Sequence, residues 1–312
     1  MNQSKMNKFK KYMLGSRGES GFLTKFFLYV LLIGISFIFL YPILQMIITS
    51  FMSLEDLIDP TVIWIPSRLV VQNYIKAAEV LKFWDALWDS ILVSALPTLC
   101  GVISSSLIGY GFAHYDFPGK KIWFALLFAI FLIPTLLLSI PTYVMYSELG
   151  ILKTLGAYIY PSLTGFGLRQ SVFIFIFYQF FNMMPKEISE SAEVDGANAL
   201  QIFIKIAIPM VIPAFIITTL YSFVWYWNET GLAQMYFRGE YTTLQIAVMD
   251  FKNIYDKLYG GGNVGMNSAN ESFNQGVQFA GTMLSILPLL ILYAFTQKWF
   301  VESADRAGIA GS

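Results

Sequence analysis

Charge, cysteine and histidine are scarce in this 312-residue chain. Lys, Arg, Asp and Glu make up 13% of it, against about 25% in an average soluble domain. A single cysteine, Cys100, excludes an intrachain disulfide and a cysteine-based metal site. A single histidine, His114, is too little for a zinc cage. The 20 basic and 20 acidic residues cancel, which argues against a nucleic-acid partner. No G-x-x-x-x-G-K-S/T phosphate loop, no H-E-x-x-H and no G-x-S-x-G is found. No ladder of Asp, Glu or His runs along an apolar segment as a proton relay requires. Enzyme and ion-pump readings lose their support, and a conduit, a receptor or a scaffold remains.

What the chain has instead is apolar surface, at 56% of its residues. Uncharged windows fall at 26–54, 90–113, 122–147, 206–228 and 272–297, each longer than the roughly 20 residues a bilayer-spanning helix needs. A sixth, 154–185, carries one charge, Arg169. The expected fold is all-α, a polytopic membrane protein with six transmembrane helices. The same balance excludes a soluble globular enzyme, a disordered chain and a secreted disulfide scaffold. Lys5, Lys8, Lys10 and Lys11 before an apolar run imitate a signal peptide, but the run is too long for a cleavable core and lacks a small-residue cleavage site. It is expected to remain as the first span.

Lys and Arg accumulate on cytoplasmic flanks, which fixes the expected orientation. With the N-terminus inside, the inner segments 1–25, 113–121, 183–205 and 298–312 hold twelve basic residues, and the outer segments 51–89, 147–156 and 229–275 hold seven. The expected organisation is a cytoplasmic N-terminal segment 1–25, a six-span domain 26–300 and a cytoplasmic tail 301–312. In the first long outer segment, Pro60, Trp64, Pro66 and the stretch 73–87 suggest a turn and then a short interfacial helix. In the last, Gly260-Gly261-Gly262-Asn263-Val264-Gly265 forms a glycine-rich tip after Tyr255 and Tyr259. No repeat of 20–50 residues is visible. Pro42, Pro97, Pro134, Pro141, Pro161, Pro213 and Pro288 interrupt the apolar windows and are expected to bend them. Gly101, Ser105 and Gly109 share one helical face that is expected to pack closely, within this chain in preference to a dimer.

The most informative stretch is the inner loop 185–209. Pro185 starts a short helix with Glu187, Glu190 and Glu193 in its early turns, which suits the positive end of the helix dipole. Gly196 stops it, and a side chain there is expected to extend or redirect the turn. Asn198 with Gln201 has the spacing of a capping box for a second helix that runs into the fifth span.

Glu190-Ser191-Ala192 followed by Asp195-Gly196-Ala197, with Phe203, Ile206, Pro209 and Pro213 downstream, resembles the EAA loop of membrane permeases in ATP-binding-cassette importers. The pattern there is E-A-A-x-x-x-G-A, and Ser191 replaces one small residue by another. Further pieces are similar to the carbohydrate, maltose-type subgroup. They are Tyr41-Pro42, Thr49-Ser50-Phe51, Asn73-Tyr74, Phe117-Pro118-Gly119-Lys120, Ile133-Pro134, Leu149-Gly150-Ile151, Trp227-Asn228 and Tyr241-Thr242-Thr243-Leu244.

The resemblance implies a type I importer permease fold and half of a transmembrane pathway for an oligosaccharide, working by alternating access in a bacterial plasma (inner) membrane. It implies that the chain is not an enzyme and holds no cofactor, with ATP and Mg bound in separate ATPase subunits. The implied partners are a second homologous permease, two ATPase subunits and an extracellular solute-binding protein. Glu190, Ala192, Asp195, Gly196 and Ala197 correspond to the coupling helix that meets an ATPase. Gly260, Gly261, Gly262 and Asn263 are the matching candidates for contact with the binding protein. The chain ends Gly308-Ile309-Ala310-Gly311-Ser312, without the lysine of the family's usual tail. A self-sufficient secondary transporter, a permease for another solute and a receptor or scaffold stand as alternatives. For the pathway, the candidates are Arg169, Gln170, Tyr221 and Trp225. A guanidinium grips hydroxyls or an acidic sugar's carboxylate, and aromatic rings stack sugars, but Arg169 near a span end also snorkels and the rings also build an interfacial belt.

Overall fold

Some apolar runs form long helices that carry a proline inside them, and two others bend sharply beside one. The structure, a computed structural model, describes residues 13, 15–16, 19–259 and 273–309, and side chains over 13, 21–259 and 273–299. Apart from one antiparallel pair of two-residue strands, β1 (Gly15–Ser16) and β2 (Glu19–Ser20), every regular element among the described residues is helical. By contacts the chain divides into two units, residues 1–77 with 263–283, and residues 78–262 with 284–312.

In the first unit, α1 (Phe22–Ser50) is a continuous 29-residue helix whose apolar side chains stand exposed over most of its length, as suits a helix solvated by hydrocarbon. Pro42 lies within it. Its end is pinned by polar contacts. The Asn73 amide donates to the carbonyls of Ser50 and Met52, both at 3.0 Å, and the Tyr74 and Ser50 hydroxyls lie 2.7 Å apart. Two of the sequence pieces singled out above, Thr49-Ser50-Phe51 and Asn73-Tyr74, therefore meet. Next, α2 (Leu54–Ile58) opens with a capping box in which Ser53 and Asp56 satisfy each other's backbone N–H. The Ser67 hydroxyl donates to the same carboxylate at 2.6 Å. That bond is the largest of the contacts holding the Asp56 carboxyl below the ordinary carboxylate range. The expected interfacial helix is α3 (Gln72–Leu81), which ends at Lys82, a residue with left-handed φ of 46°.

In the second unit, the 32-residue α4 (Phe83–His114) is the spine. Around it lie α5 (Lys120–Leu132), α6 (Thr135–Glu148), α7 (Gly156–Leu163), α8 (Gln170–Asn182) and α9 (Lys186–Val194). Then follow α10 (Ala199–Met210), α11 (Ile212–Asn228), α12 (Gly231–Phe237), α13 (Leu244–Met249) and α14 (Phe251–Tyr259). The last helix, α15 (Gln275–Ile309), has residues in both units. The face of Gly101, Ser105 and Gly109 packs within the chain, as expected. A Cβ on Gly109 would fall 2.6 Å from Phe177 Cβ and 2.9 Å from the Tyr178 backbone nitrogen, so only glycine admits α8 this close. The Tyr241–Leu244 piece is fastened to α4, with Thr242 N–H donating to Asp89 and Leu244 N–H to the Ser90 hydroxyl, both at 2.8 Å.

Six uninterrupted spans are not what the helices deliver. Among the described residues three helices are long and apolar enough to cross a membrane, α1, α4 and the part of α15 at Gln275–Trp299. The count reaches five if α5 with α6, bent by 102°, and α10 with α11, bent by 78°, each make one span. Pro134 sits at the first bend and Pro213 just past the second, where missing N–H groups and ring clashes stop the helix. A π-helical stretch, Phe203–Ala207, precedes Pro209 within α10. The window 154–185 divides into α7, of 8 residues, and α8, of 13, which extends about 20 Å, short of a hydrocarbon core.

Candidate functional site

Between α9 and α10 the sequence builds a cap, a turn and a second cap. Gly196 adopts φ of +84°, and its N–H donates to the Glu193 carbonyl at 3.0 Å, while Ala197 N–H reaches back to Ala192 O at 2.9 Å. This pair of bonds is a complete Schellman motif, which closes the last turn of α9 and reverses the chain. A Cβ at 196 would meet nothing within 4 Å, so the position demands glycine for its backbone angle, and crowding plays no part. The Asn198 side chain then accepts from Gln201 N–H, and Gln201 accepts from Asn198 N–H, both at 2.9 Å, as the spacing predicts. Ser189, Ile202 and Phe203 anchor the loop by burial, and the Phe203 ring sits 5.0 Å from Tyr110 of α4. Glu190, Glu193 and Asp195 are exposed, Ala192 and Ala197 are half-buried, and Val194 is 88% exposed between the acids. An apolar, acidic knob with fixed ends is thus presented at the surface.

The second feature is the break between α7 and α8. Gln170 is only 2% exposed, and its amide nitrogen donates to Gly101 O at 3.1 Å, Ser104 Oγ at 2.6 Å and Ser162 O at 2.8 Å. Its carbonyl accepts from Gly167 N–H at 2.6 Å. The Ser162 and Tyr226 hydroxyls lie 2.8 Å apart, and Leu168 N–H donates to Tyr226 at 2.9 Å. Backbone that would otherwise be unsatisfied in an apolar interior is therefore met by side chains of α4, α7, α8 and α11. Gly167 has no room for a side chain, because a Cβ there would lie 2.6 Å from Gln170 Oε1, 2.7 Å from Ser162 Oγ and 2.9 Å from Tyr226 Oη.

This break lines a cavity of about 400 Å³ together with α5, α6 and α12. The sequence candidates divide here. Arg169 lies at the cavity, exposed, with its guanidinium carbon 5.2 Å from the centre of the Trp225 ring, and Tyr221 is 6.1 Å from that ring. Three of the four candidates thus form one surface. Gln170 also borders the cavity, but its amide is engaged within the chain, so it positions the break and does not hold a solute. Arg169 is the residue before α8, in a left-handed conformation with φ of 50°, and not a side chain part-way down a continuous span. Gly260, Gly261, Gly262 and Asn263 lie outside the described residues.

Ser104, Ser162, Gly167 and Tyr226 escape a reading of the sequence for motifs. The available signal was a polar amide, Gln170, and hydroxyls inside apolar windows, which in lipid must find partners. Tyr158, 5% exposed and also at the cavity, completes the set.

Residues 101–305 match the family of binding-protein-dependent transport system inner membrane components. An arabinooligosaccharides transport system permease protein of Halalkalibacterium halodurans is 28% identical over 281 residues, covering 89% of this chain and 93% of that protein. A polygalacturonan/rhamnogalacturonan transport system permease protein of Bacillus subtilis is 28% identical over 291 residues, covering 91% and 97%. In fold, the chain is similar to one in the crystal structure of a bacterial ABC transporter involved in the import of the acidic polysaccharide alginate. The TM-score is 0.68 at 24% identity, over 89% of this chain and 96% of that one.

Proposed function

The chain belongs to the family of inner membrane components of binding-protein-dependent transport systems, and we propose that it forms half of the pathway of an ATP-driven oligosaccharide importer. The loop 185–209 carries this reading. Its Schellman turn and capping box fix an acidic knob with Val194 at its tip, and Glu190–Ala197 follows the E-A-A-x-x-x-G-A pattern with Ser191 in place of the first alanine. A rigid, exposed element of that kind transmits a push from a partner into α10 and α11, to which it is continuous.

On this reading ATP and Mg are bound by two separate ATPase subunits, a second permease chain completes the pathway and a solute-binding protein delivers the sugar. The saccharide class is supported by the similarity to the arabinooligosaccharide and polygalacturonan/rhamnogalacturonan permeases. The excess of Lys and Arg on segments 1–25, 113–121, 183–205 and 298–312 supports a cytoplasmic location for both termini. The test is reconstitution. Vesicles holding this chain, its partner permease and the ATPase subunits, supplied with binding protein and oligosaccharide, should accumulate sugar only with ATP. Sugar uptake that persists without ATPase subunits would instead make the chain a secondary transporter.

A further inference from the structure

We propose that the cavity beside the α7–α8 break binds a carboxylate-bearing sugar unit, with Arg169 as the group that grips the carboxylate. This rests on the import reading and adds to it the charge of the substrate.

Among the described residues that line the cavity, Arg169 is the only charged one. Among the described residues its guanidinium joins none of the ion pairs, which are Arg68 with Glu55, Lys120 with Asp116 and Lys252 with Asp256. Glu229, a nearby acid in sequence to the lining residue Leu232, does not line the cavity, and its carboxylate accepts from Leu232 N–H at 2.9 Å. Among the described residues the cavity lining therefore offers no acid to balance Arg169. The guanidinium carbon lies 5.2 Å from the centre of the Trp225 ring, within cation–π reach, and a guanidinium is the side-chain group that meets a carboxylate with two parallel hydrogen bonds.

The position is also built. A non-glycine residue in the left-handed region is disfavoured and persists where its surroundings dictate it. Here the neighbours on either side are held in place, Leu168 by its N–H donating to Tyr226 and Gln170 by its amide donating to Gly101 O and Ser104 Oγ and accepting from Gly167 N–H. A volume of about 400 Å³ lies within the roughly 300–1,000 Å³ usual for small-molecule sites.

The test uses the chain assembled with its copurified partner permease and ATPase subunits in phosphatidylcholine nanodiscs. The binding protein is left out, so that any selectivity comes from the permease. Trigalacturonate and its carboxyl-reduced neutral analogue are titrated by calorimetry. The parent should bind trigalacturonate about tenfold or more tightly than the analogue, the size of one charged hydrogen-bonded contact. Arg169→Gln should abolish that preference, and Arg169→Lys should retain part of it. No preference in the parent, no binding of trigalacturonate, or a preference that survives Arg169→Gln would each overturn the proposal and leave Arg169 as a headgroup anchor. ATP-driven uptake into proteoliposomes with the binding protein tests import separately. Uptake without an acid preference removes only the charge inference, whereas an intact binding preference without ATP-driven uptake of either sugar removes the import reading.

Discussion

Gly167 and Gly111 show how differently two glycines in apolar windows serve the fold. Gly167→Ala forces a Cβ into three oxygens closer than 3.0 Å and should destabilise the chain by about 1–3 kcal/mol. Gly111→Ala, in helix α4 with nothing within 4 Å, should stabilise it by about 0.5–1 kcal/mol. Thermal unfolding in detergent, followed by tryptophan fluorescence, should therefore move in opposite directions for the two. Asp56 gives a pH-dependent counterpart outside the spans. Its carboxyl is held below the ordinary range by Ser67 and Ser53, so its contribution is fully present above the unfolded-state value and is lost as pH falls through the lowered folded one. Amide exchange over residues 53–67 should quicken in acid, and Asp56→Asn should remove most of that pH dependence. At this scale the sequence was partly legible. Arg169 stood out because it is the lone charge in its window, but the partners of Gln170 did not. They come from Gly101, Ser104 and Ser162, residues 69, 66 and 8 positions away, and no local pattern connects them.

Elements were most legible where a short-range hydrogen-bond pattern defines them. The loop 185–209 reads directly, because a Schellman turn needs Gly196 and a capping box needs Asn198 and Gln201 at fixed offsets. In its open surroundings a side chain at 196 is opposed only by φ of +84°. Residue types that tolerate this angle should accordingly be accepted. Gly196→Asn should keep most ATP-driven uptake, whereas Gly196→Val, adding about 1–2 kcal/mol of left-handed strain, should lower it at equal abundance. Equal loss in both variants would mean that bulk at the interface matters and the turn does not. Broken elements were harder to read. Hydropathy sees the window 154–185 as one span, because Gly165, Gly167 and the hydroxyls of Ser162 and Thr164 hardly lower its apolar character, yet they permit the chain to leave the helix.

For the whole molecule, the all-helical membrane fold followed from composition and the number of spans did not, because proline bends and a buried polar break decide which apolar runs cross. Orientation is independent of that count at the N-terminus. In a Cys100→Ser background, an impermeant thiol reagent applied to intact cells should label Thr61→Cys and spare Ser4→Cys, and the reverse pattern would invert the chain. The central claim is that the acidic knob between α9 and α10 docks on an ATPase subunit. Its most direct test is Val194→Cys in the same cysteine-free background, since Val194 is 88% exposed at the tip of that knob. With a short bifunctional thiol reagent and the assembled, transporting complex, the account predicts an adduct between this chain and the ATP-binding subunit whose yield changes with ATP. A complex that transports normally but yields no such adduct, across cysteines placed in turn at 190, 194 and 197, would contradict it.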